Sequence, residues 1–184
     1  MTRLLRTALV TLVVCFAAAA AAQAPSYFGL RFPDTVAGFP RGAVKDFETE
    51  HPGLGYGVKY NGNGWIIDVF IYDDAIKDIP DDLSANVVTT QFNQAQGDIH
   101  AREKQGNLRV EDKSRFGISG PNGKPRYSCG TYLITENGRQ IDSYLCLTTW
   151  HGKFVKYRLS TLAKDGSLAK AKRFVSAWTA TLWP

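Results

Sequence analysis

Residues able to do chemistry are few in this chain, and they are scattered. Cys129 and Cys146 bracket the stretch CGTYLITENGRQIDSYLC, which is centred on Asn137-Gly138. The three histidines, His51, His100 and His151, lack the His-Glu-x-x-His spacing that puts two imidazoles on one helix face around zinc. Ser167-Leu168-Ala169-Lys170 has the Ser-x-x-Lys form of penicillin-binding enzymes. Neither the Ser-Asp-Asn nor the Lys-Thr-Gly element that completes such a site is present, so Ser167 is read as a helix N-cap. Five aspartates, at 73, 74, 78, 81 and 82, are dense enough to offer oxygen ligands to calcium, yet the EF-hand pattern and its glycine are missing. No motif therefore nominates a catalytic residue, a metal site or a cofactor.

Two groups remain as candidate contacts. Trp150 and His151 sit together in a tight turn at the end of a strand, where aromatic residues often line pockets. Lys113, Arg115, Lys124 and Arg126 flank the loop SGPNGKP and could attract an anionic surface such as lipid headgroups. A charged strand edge that discourages edge-to-edge pairing explains the same four residues.

The cysteines can be tested against turn geometry. Asn-Gly is the strongest two-residue hairpin turn, because both central positions need positive φ. With Asn137 and Gly138 as that turn, Glu136 faces Arg139 and Cys129 falls opposite Cys146. Alternation makes this a non-hydrogen-bonded pair, where side chains approach most closely, within disulfide range. A redox pair would want Cys-x-x-Cys, and a metal site would want further ligands. The spacing predicts a Cys129–Cys146 disulfide across adjacent strands.

The elements that must hold these residues follow from periodicity. YFGLRFPDTVAGF predicts a short strand and a loop, and a further strand is placed around Val44 to Phe47. LGYGVKY and WIIDVFIYDD predict a hairpin with a four-residue loop, Asn61 to Gly64. It would place Leu54, Tyr56, Val58 and Tyr60 on one face with Trp65, Ile67, Val69 and Ile71. Gly55 and Gly57 fall on the other face. Ser84 is placed as the N-cap of a helix carrying Val88, Phe92, Ala95 and Ile99 at helical spacing to about Lys104. Leu108 to Ile118 alternates as a half-buried strand, with Leu108, Val110, Phe116 and Ile118 on one side. After the cysteine hairpin, FVKYRLSTL predicts a strand with Val155, Tyr157 and Leu159 inward. A last helix from Ser167 carries Leu168, Ala171, Val175, Trp178 and Leu182 along one stripe. Both faces of the cysteine hairpin are apolar, with Tyr132, Ile134 and Leu145 on one and Leu133 and Tyr144 on the other, so both should be covered. The fold class is α+β: a largely antiparallel sheet with a middle helix and a C-terminal helix packed on it.

Residues 1–24 have the three parts of a secretory signal: Arg3 and Arg6, a small and apolar run from Leu9 to Ala22, and Ala22-Gln23-Ala24 as a cleavage site. Cleavage after Ala24 would leave one domain, residues 25–184, in the periplasm or outside the cell, where a disulfide can persist. The whole chain has 22 basic and 17 acidic residues, a net charge of +5. Losing Arg3 and Arg6 leaves +3, which argues against a nucleic-acid partner. No second apolar run is of membrane length, so no transmembrane segment is expected beyond the signal.

The element order, with a middle helix and a closing amphipathic helix over an antiparallel meander, resembles the PsbP-like superfamily, which includes DcrB-like envelope lipoproteins. GFPRGAVKDFE, PGLGYGVKYNG and VFIYDD also resemble stretches of exported proteobacterial proteins. Unlike DcrB-type chains, this one has valine before Cys15 and so lacks a good lipobox. The resemblance implies an adaptor or binding module and carries over no functional residue. The expectation is a non-catalytic envelope domain for a protein or small-molecule partner. Two alternatives are an inhibitor or immunity-type protein for a secreted enzyme or toxin, and a small hydrolase with a histidine–carboxylate site.

Overall fold

The computed structural model describes residues 26–182 apart from 107, 121 and 122; the signal-like segment 1–24 lies outside the described residues. Strands β1 (Ser26–Tyr27) and β2 (Leu30–Arg31) form a small hairpin. Eight more strands make one antiparallel sheet: β3 (Thr35–Val36), β4 (Phe39–Asp46), β5 (Tyr56–Gly62), β6 (Trp65–Tyr72), β7 (Leu108–Ser119), β8 (Pro125–Glu136), β9 (Arg139–Trp150) and β10 (Lys153–Leu162). Their spatial order is β3-β4-β5-β6-β10-β9-β8-β7. Helix α1 (Asn86–Ala101), extended by a 3-10 turn at Arg102–Gln105, packs on one face, and α2 (Ser167–Leu182) on the other. This is the expected α+β arrangement.

The cysteine hairpin has the register its turn demands. Glu136 faces Arg139, Ile134 faces Ile141 and Cys129 faces Cys146, with Asn137 and Gly138 both at positive φ. The Cys129–Cys146 disulfide is formed across a Cα separation of 4.1 Å.

The β5–β6 hairpin turns on two residues, Asn63 and Gly64, and not on the expected four, since Gly62 already pairs with Trp65. The tandem Asn-Gly-Asn-Gly offers two turns, and the chain uses the second. The resulting shift is even, so the faces stay as expected: Val58, Tyr60, Trp65, Ile67, Val69 and Ile71 are all buried. Leu54 is the exception, lying outside the strand and 44% exposed. Gly57 packs beneath Phe47 and Phe70, where a Cβ would come within 3.0 Å of one ring and 3.2 Å of the other.

β7 corrects the expected alternation. A bulge between Asp112 and Ser114 inserts Lys113 as an extra residue, and one extra residue reverses the faces beyond it. Val110 therefore packs with Ile134 and Tyr132 toward α1, whereas Phe116 and Ile118 pack with Cys129 and Tyr127 toward α2.

Two helix starts also differ from expectation. The N-cap position of α1 is Ala85, with no side-chain cap; the Ser84 hydroxyl instead donates to Asp82 Oδ1 at 2.8 Å. At α2, the Ser167 hydroxyl donates to Asp142 Oδ2 at 2.6 Å and lies 2.7 Å from the Tyr144 hydroxyl. It ties the helix to β9 and leaves the helix amides to other acceptors. Along α2 the stripe is Ala171, Phe174, Val175, Trp178 and Leu182. Phe174 joins it, and Leu168 is 36% exposed.

Both sheet faces are covered. On the α2 side, Phe32, Phe39, Tyr60, Tyr157, Phe174 and Trp178 anchor the larger core, each 1% exposed or less. On the α1 side, Val88, Phe92, Ala95 and Ile99 pack on Val110, Tyr132, Ile134, Leu145, Leu147 and Phe154. Burying a large apolar side chain stabilises by roughly 1.5–3 kcal/mol, so both layers are substantial.

Candidate functional site

The α1-facing positions at the open end of β7 and β8 are small. Gly117 pairs with Ser128 there, so the sheet floor has no bulk under the start of α1. A cleft of about 870 Å³ opens above it. Phe92 closes one side, and the segment Asp81 to Ser84, which leads into α1, forms the rim. Its volume falls in the ordinary range for ligand sites, about 300–1,000 Å³.

Three of the four expected basic residues, Arg115, Lys124 and Arg126, come together on the wall of this cleft. The β7 bulge sends Arg115 toward α1. Its guanidinium lies 4.8 Å from the centroid of the Phe92 ring and donates to Gln96 Oε1 at 2.6 Å. The cation is thus held in place on the helix, with its charge retained. Lys113 is not part of the cleft: as the bulged residue it pairs with Glu111 at 2.7 Å. Asp81 and Asp82 also line the cleft. Asp82 accepts from the Ser84 amide and hydroxyl, which hold its carboxyl below the usual aspartate range. The lining carries both signs, three cations and two carboxylates.

Trp150 and His151 lie elsewhere and line none of the clefts described here. The Trp150 indole donates to the Leu182 carbonyl at 2.9 Å, docking the end of α2. His151 is exposed in the β9–β10 turn, its ring edge-on to Trp150 at 4.4 Å. His51 is likewise exposed, in the loop between β4 and β5.

His100 has the carboxylate neighbours that motif reading could not supply. Its Nδ1 lies 3.2 Å from Glu103 Oε2 and its Nε2 2.9 Å from Asp112 Oδ1. The hydrogen bond to Glu103 raises its pKa most and Asp112 adds to the rise, against a smaller loss from burial. Both ring nitrogens are engaged, so no nitrogen faces a substrate as a general base must. His100 clamps the end of α1 to β7. Ser167 and Lys170 also part company: Ser167 bonds to β9, while the Lys170 ammonium lies 5.0 Å from the centroid of Phe39.

The aspartate run is dispersed. Asp73 pairs with Lys153 and accepts the Ala75 amide, and Asp82 serves Ser84. Among the described residues, no group of three or more His, Cys, Asp or Glu side chains could hold a metal.

A second opening runs along the other flank of α1, with Lys156 and Arg158 of β10 in its walls. Sequence reading passed over these two because it followed the apolar residues Val155, Tyr157 and Leu159 between them. The signal was present. Two cations at i and i+2, sharing the Phe154 face of a strand whose both faces are covered, are out of place in a packed interior.

No family model matches the chain, and no curated protein matches it significantly. Among solved structures, it is similar to the solution structure of cyanobacterial PsbP (CyanoP) from Synechocystis sp. PCC 6803. The TM-score is 0.52 at 18% sequence identity, over 91% of this chain and 96% of that one. At such identity the likeness concerns backbone architecture, and the helix-on-both-faces antiparallel sheet described above is the PsbP-like fold.

Proposed function

We propose that this protein is an exported, non-catalytic accessory domain that binds a partner in the cell envelope through the cleft beside the start of α1. The observation that carries the reading is the convergence of Arg115, Lys124 and Arg126 on one wall of an 870 Å³ cleft floored by Gly117 and Ser128. Export is supported by the signal-like pattern of residues 1–24 and by the Cys129–Cys146 disulfide, a bond that persists in oxidising compartments. The PsbP-like fold supports an accessory role. Among the described residues, no helix is long and apolar enough to cross a membrane.

Native mass spectrometry of the protein purified from its own cell envelope tests this. The wild-type protein should begin at residue 25 and carry additional mass, lost in Ser128→Trp, which fills the cleft floor, and in Arg115→Glu, which reverses the wall charge. Extra mass retained equally by both variants would place binding elsewhere. A wild-type protein still bearing residues 1–24 would remove export from the reading.

A further inference from the structure

Lys156 and Arg158 present a problem of electrostatics that the rest of the chain does not solve. Both are half-buried on the α1 face of β10, which lies between β6 and β9, so neither can escape over a sheet edge. Burial pushes both below their usual values; Asp98 offsets this in part at both, and Asp68 across the strand pair does so at Arg158, while the like charge of Arg102 presses further on Arg158. Among the described residues, neither has a carboxylate within ion-pairing distance. The Lys156 ammonium lies 5.2 Å from the centroid of Phe70 and 5.1 Å from that of Tyr72. Arg158 has one hydrogen bond, to Ser143 Oγ at 3.4 Å. Ring faces compensate a desolvated cation only in part, and a buried charge without a partner is costly.

Space is left for the missing partner. A pocket of about 230 Å³ opens over the two residues, with Arg102 and Asp98 in its walls. It shares Phe70, Ala95, Asp98 and Lys156 with a neighbouring space of about 270 Å³, whose far end is lined by Phe47 and Leu54. At the inner end three cations, Arg102, Lys156 and Arg158, meet one carboxylate, Asp98. Glu136 approaches Arg102 from outside at 3.9 Å, and Asp74 lies toward the outer end.

We propose that this groove binds a phosphomonoester, its phosphate held among Arg102, Lys156 and Arg158 and its organic part lying against Phe70 and Phe47. Three cations line the inner wall against Asp98, and with Glu136 meeting Arg102 from outside the wall keeps a net positive charge, which suits a group that carries about −1.5 to −2 at neutral pH. A phosphate also offers three acceptor oxygens to these cations, where a carboxylate offers two. Arginine's planar fork binds phosphate oxygens in pairs, and lysine adds a point charge. The Tyr72 hydroxyl accepts from Gln91 Nε2 at 3.1 Å, and burial pushes it up to about 12, so it stays neutral beside the site. The groove is separate from the cleft of the proposed function, and neither reading depends on the other.

Isothermal titration of the purified protein with phenyl phosphate, inorganic phosphate and benzoate provides the test. Phenyl phosphate should bind at least about tenfold more tightly than benzoate. Lys156→Gln and Arg158→Gln should each weaken it about tenfold or more, the loss of one charge-assisted bond. Arg115→Gln, in the other cleft, should leave it unchanged. Asp98→Asn removes the carboxylate that lines the same wall as the three cations and should tighten binding several-fold, a gain that a misfolded variant cannot produce. Flotation with phosphatidic acid vesicles separates the sources of the phosphate: retention lost in Arg158→Gln places it on a lipid headgroup, whereas binding in solution alone places it on a soluble ester. No binding of phenyl phosphate or of phosphatidic acid vesicles, or an affinity indifferent to Lys156→Gln, Arg158→Gln and Asp98→Asn, would overturn the proposal.

Discussion

One sheet carries two helices, and the two faces they cover are built differently. On the α2 face the helix stripe is wide, and the N-terminal segment adds Tyr27, Phe32 and Phe39 around it. Several hydroxyls there pair with one another: the Tyr127 hydroxyl lies 3.4 Å from that of Tyr157 and 3.0 Å from Thr179 Oγ1, which donates to the Val175 carbonyl at 2.8 Å, while the buried indole nitrogens of Trp65 and Trp178 have no hydrogen-bond partner among the described residues. On the α1 face the helix contributes a narrower stripe, Val88, Phe92, Ala95 and Ile99. Clefts open along both of its flanks, and cations stand in their walls. The α2 face is the more closely packed of the two, and the α1 face carries the clefts proposed above as binding sites.

The sharpest way to break that division is to compare equivalent truncations. Trp178 is 0% exposed beneath α2, and Trp178→Ala should cost about 3–5 kcal/mol of stability. Phe92→Ala should cost no more than about 3 kcal/mol, because the vacated space joins an existing cleft and need not stay empty. Urea unfolding of both variants decides it. A Phe92 penalty equal to or above that of Trp178 would mean that the α1 layer bears as much of the fold as the other. Next in size, removing the Cys129–Cys146 bond by Cys129→Ser with Cys146→Ser should lower stability by about 3 kcal/mol on the chain-entropy account of a loop this length. An unfolding midpoint that does not respond to reductant would show that the hairpin needs no staple.

The helices, the turns and the disulfide were legible in the sequence, and the clefts on the α1 face were not, for physical reasons. Local rules settle what local residues control. Asn137-Gly138 dictates a turn, the turn dictates register, and register brings Cys129 to Cys146. Helical spacing likewise found Val88, Phe92, Ala95 and Ile99. The bulge at Lys113 has no such marker, since no glycine or proline flanks it, and it is this bulge that turns Arg115 toward α1 and builds the cleft wall. The small pair Gly117 and Ser128 becomes a cleft floor only once β7 lies against β8 in that register. Ser84 and Ser167 both looked like caps because a serine before an apolar periodicity is the ordinary sign of one. Other carboxylates took their hydroxyls instead, Asp82 two residues away in the chain and Asp142 from β9. Lys156 and Arg158 differ from these cases: alternation alone put them on a covered face.

Charge changes on the α1 face should separate binding from stability. Arg115 is exposed, although it stacks on Phe92 and bonds to Gln96. Arg115→Gln should therefore change stability by no more than about 1 kcal/mol, the usual range for exposed polar contacts. The same variant should abolish whatever mass the cleft retains. A larger loss of stability, measured by urea unfolding, would make Arg115 a part of the scaffold and merge the two roles that the faces otherwise keep apart.

The smallest effect expected is the pH response of the clamp between α1 and β7, and its sign is specific. His100 has its folded pKa raised, chiefly by Glu103, above the ordinary value of 6.5. The folded state therefore holds that proton more tightly than the unfolded chain. Its contribution is complete below about pH 6.5 and is lost as pH rises through the folded value. Glu103 has its pKa lowered, first by the Val110 amide and then by His100. Its contribution is present above its ordinary value of 4.5 and fades as pH falls through the lower, folded one. The clamp is thus strongest between about pH 4.5 and 6.5. Thermal unfolding between pH 6 and 8.5 should show a decline in midpoint that is absent in His100→Gln. His51 and His151 have no carboxylate clamp in the described contacts, so substituting either by glutamine should leave the slope intact. A slope that survives His100→Gln would move the pH sensitivity away from the His100 clamp.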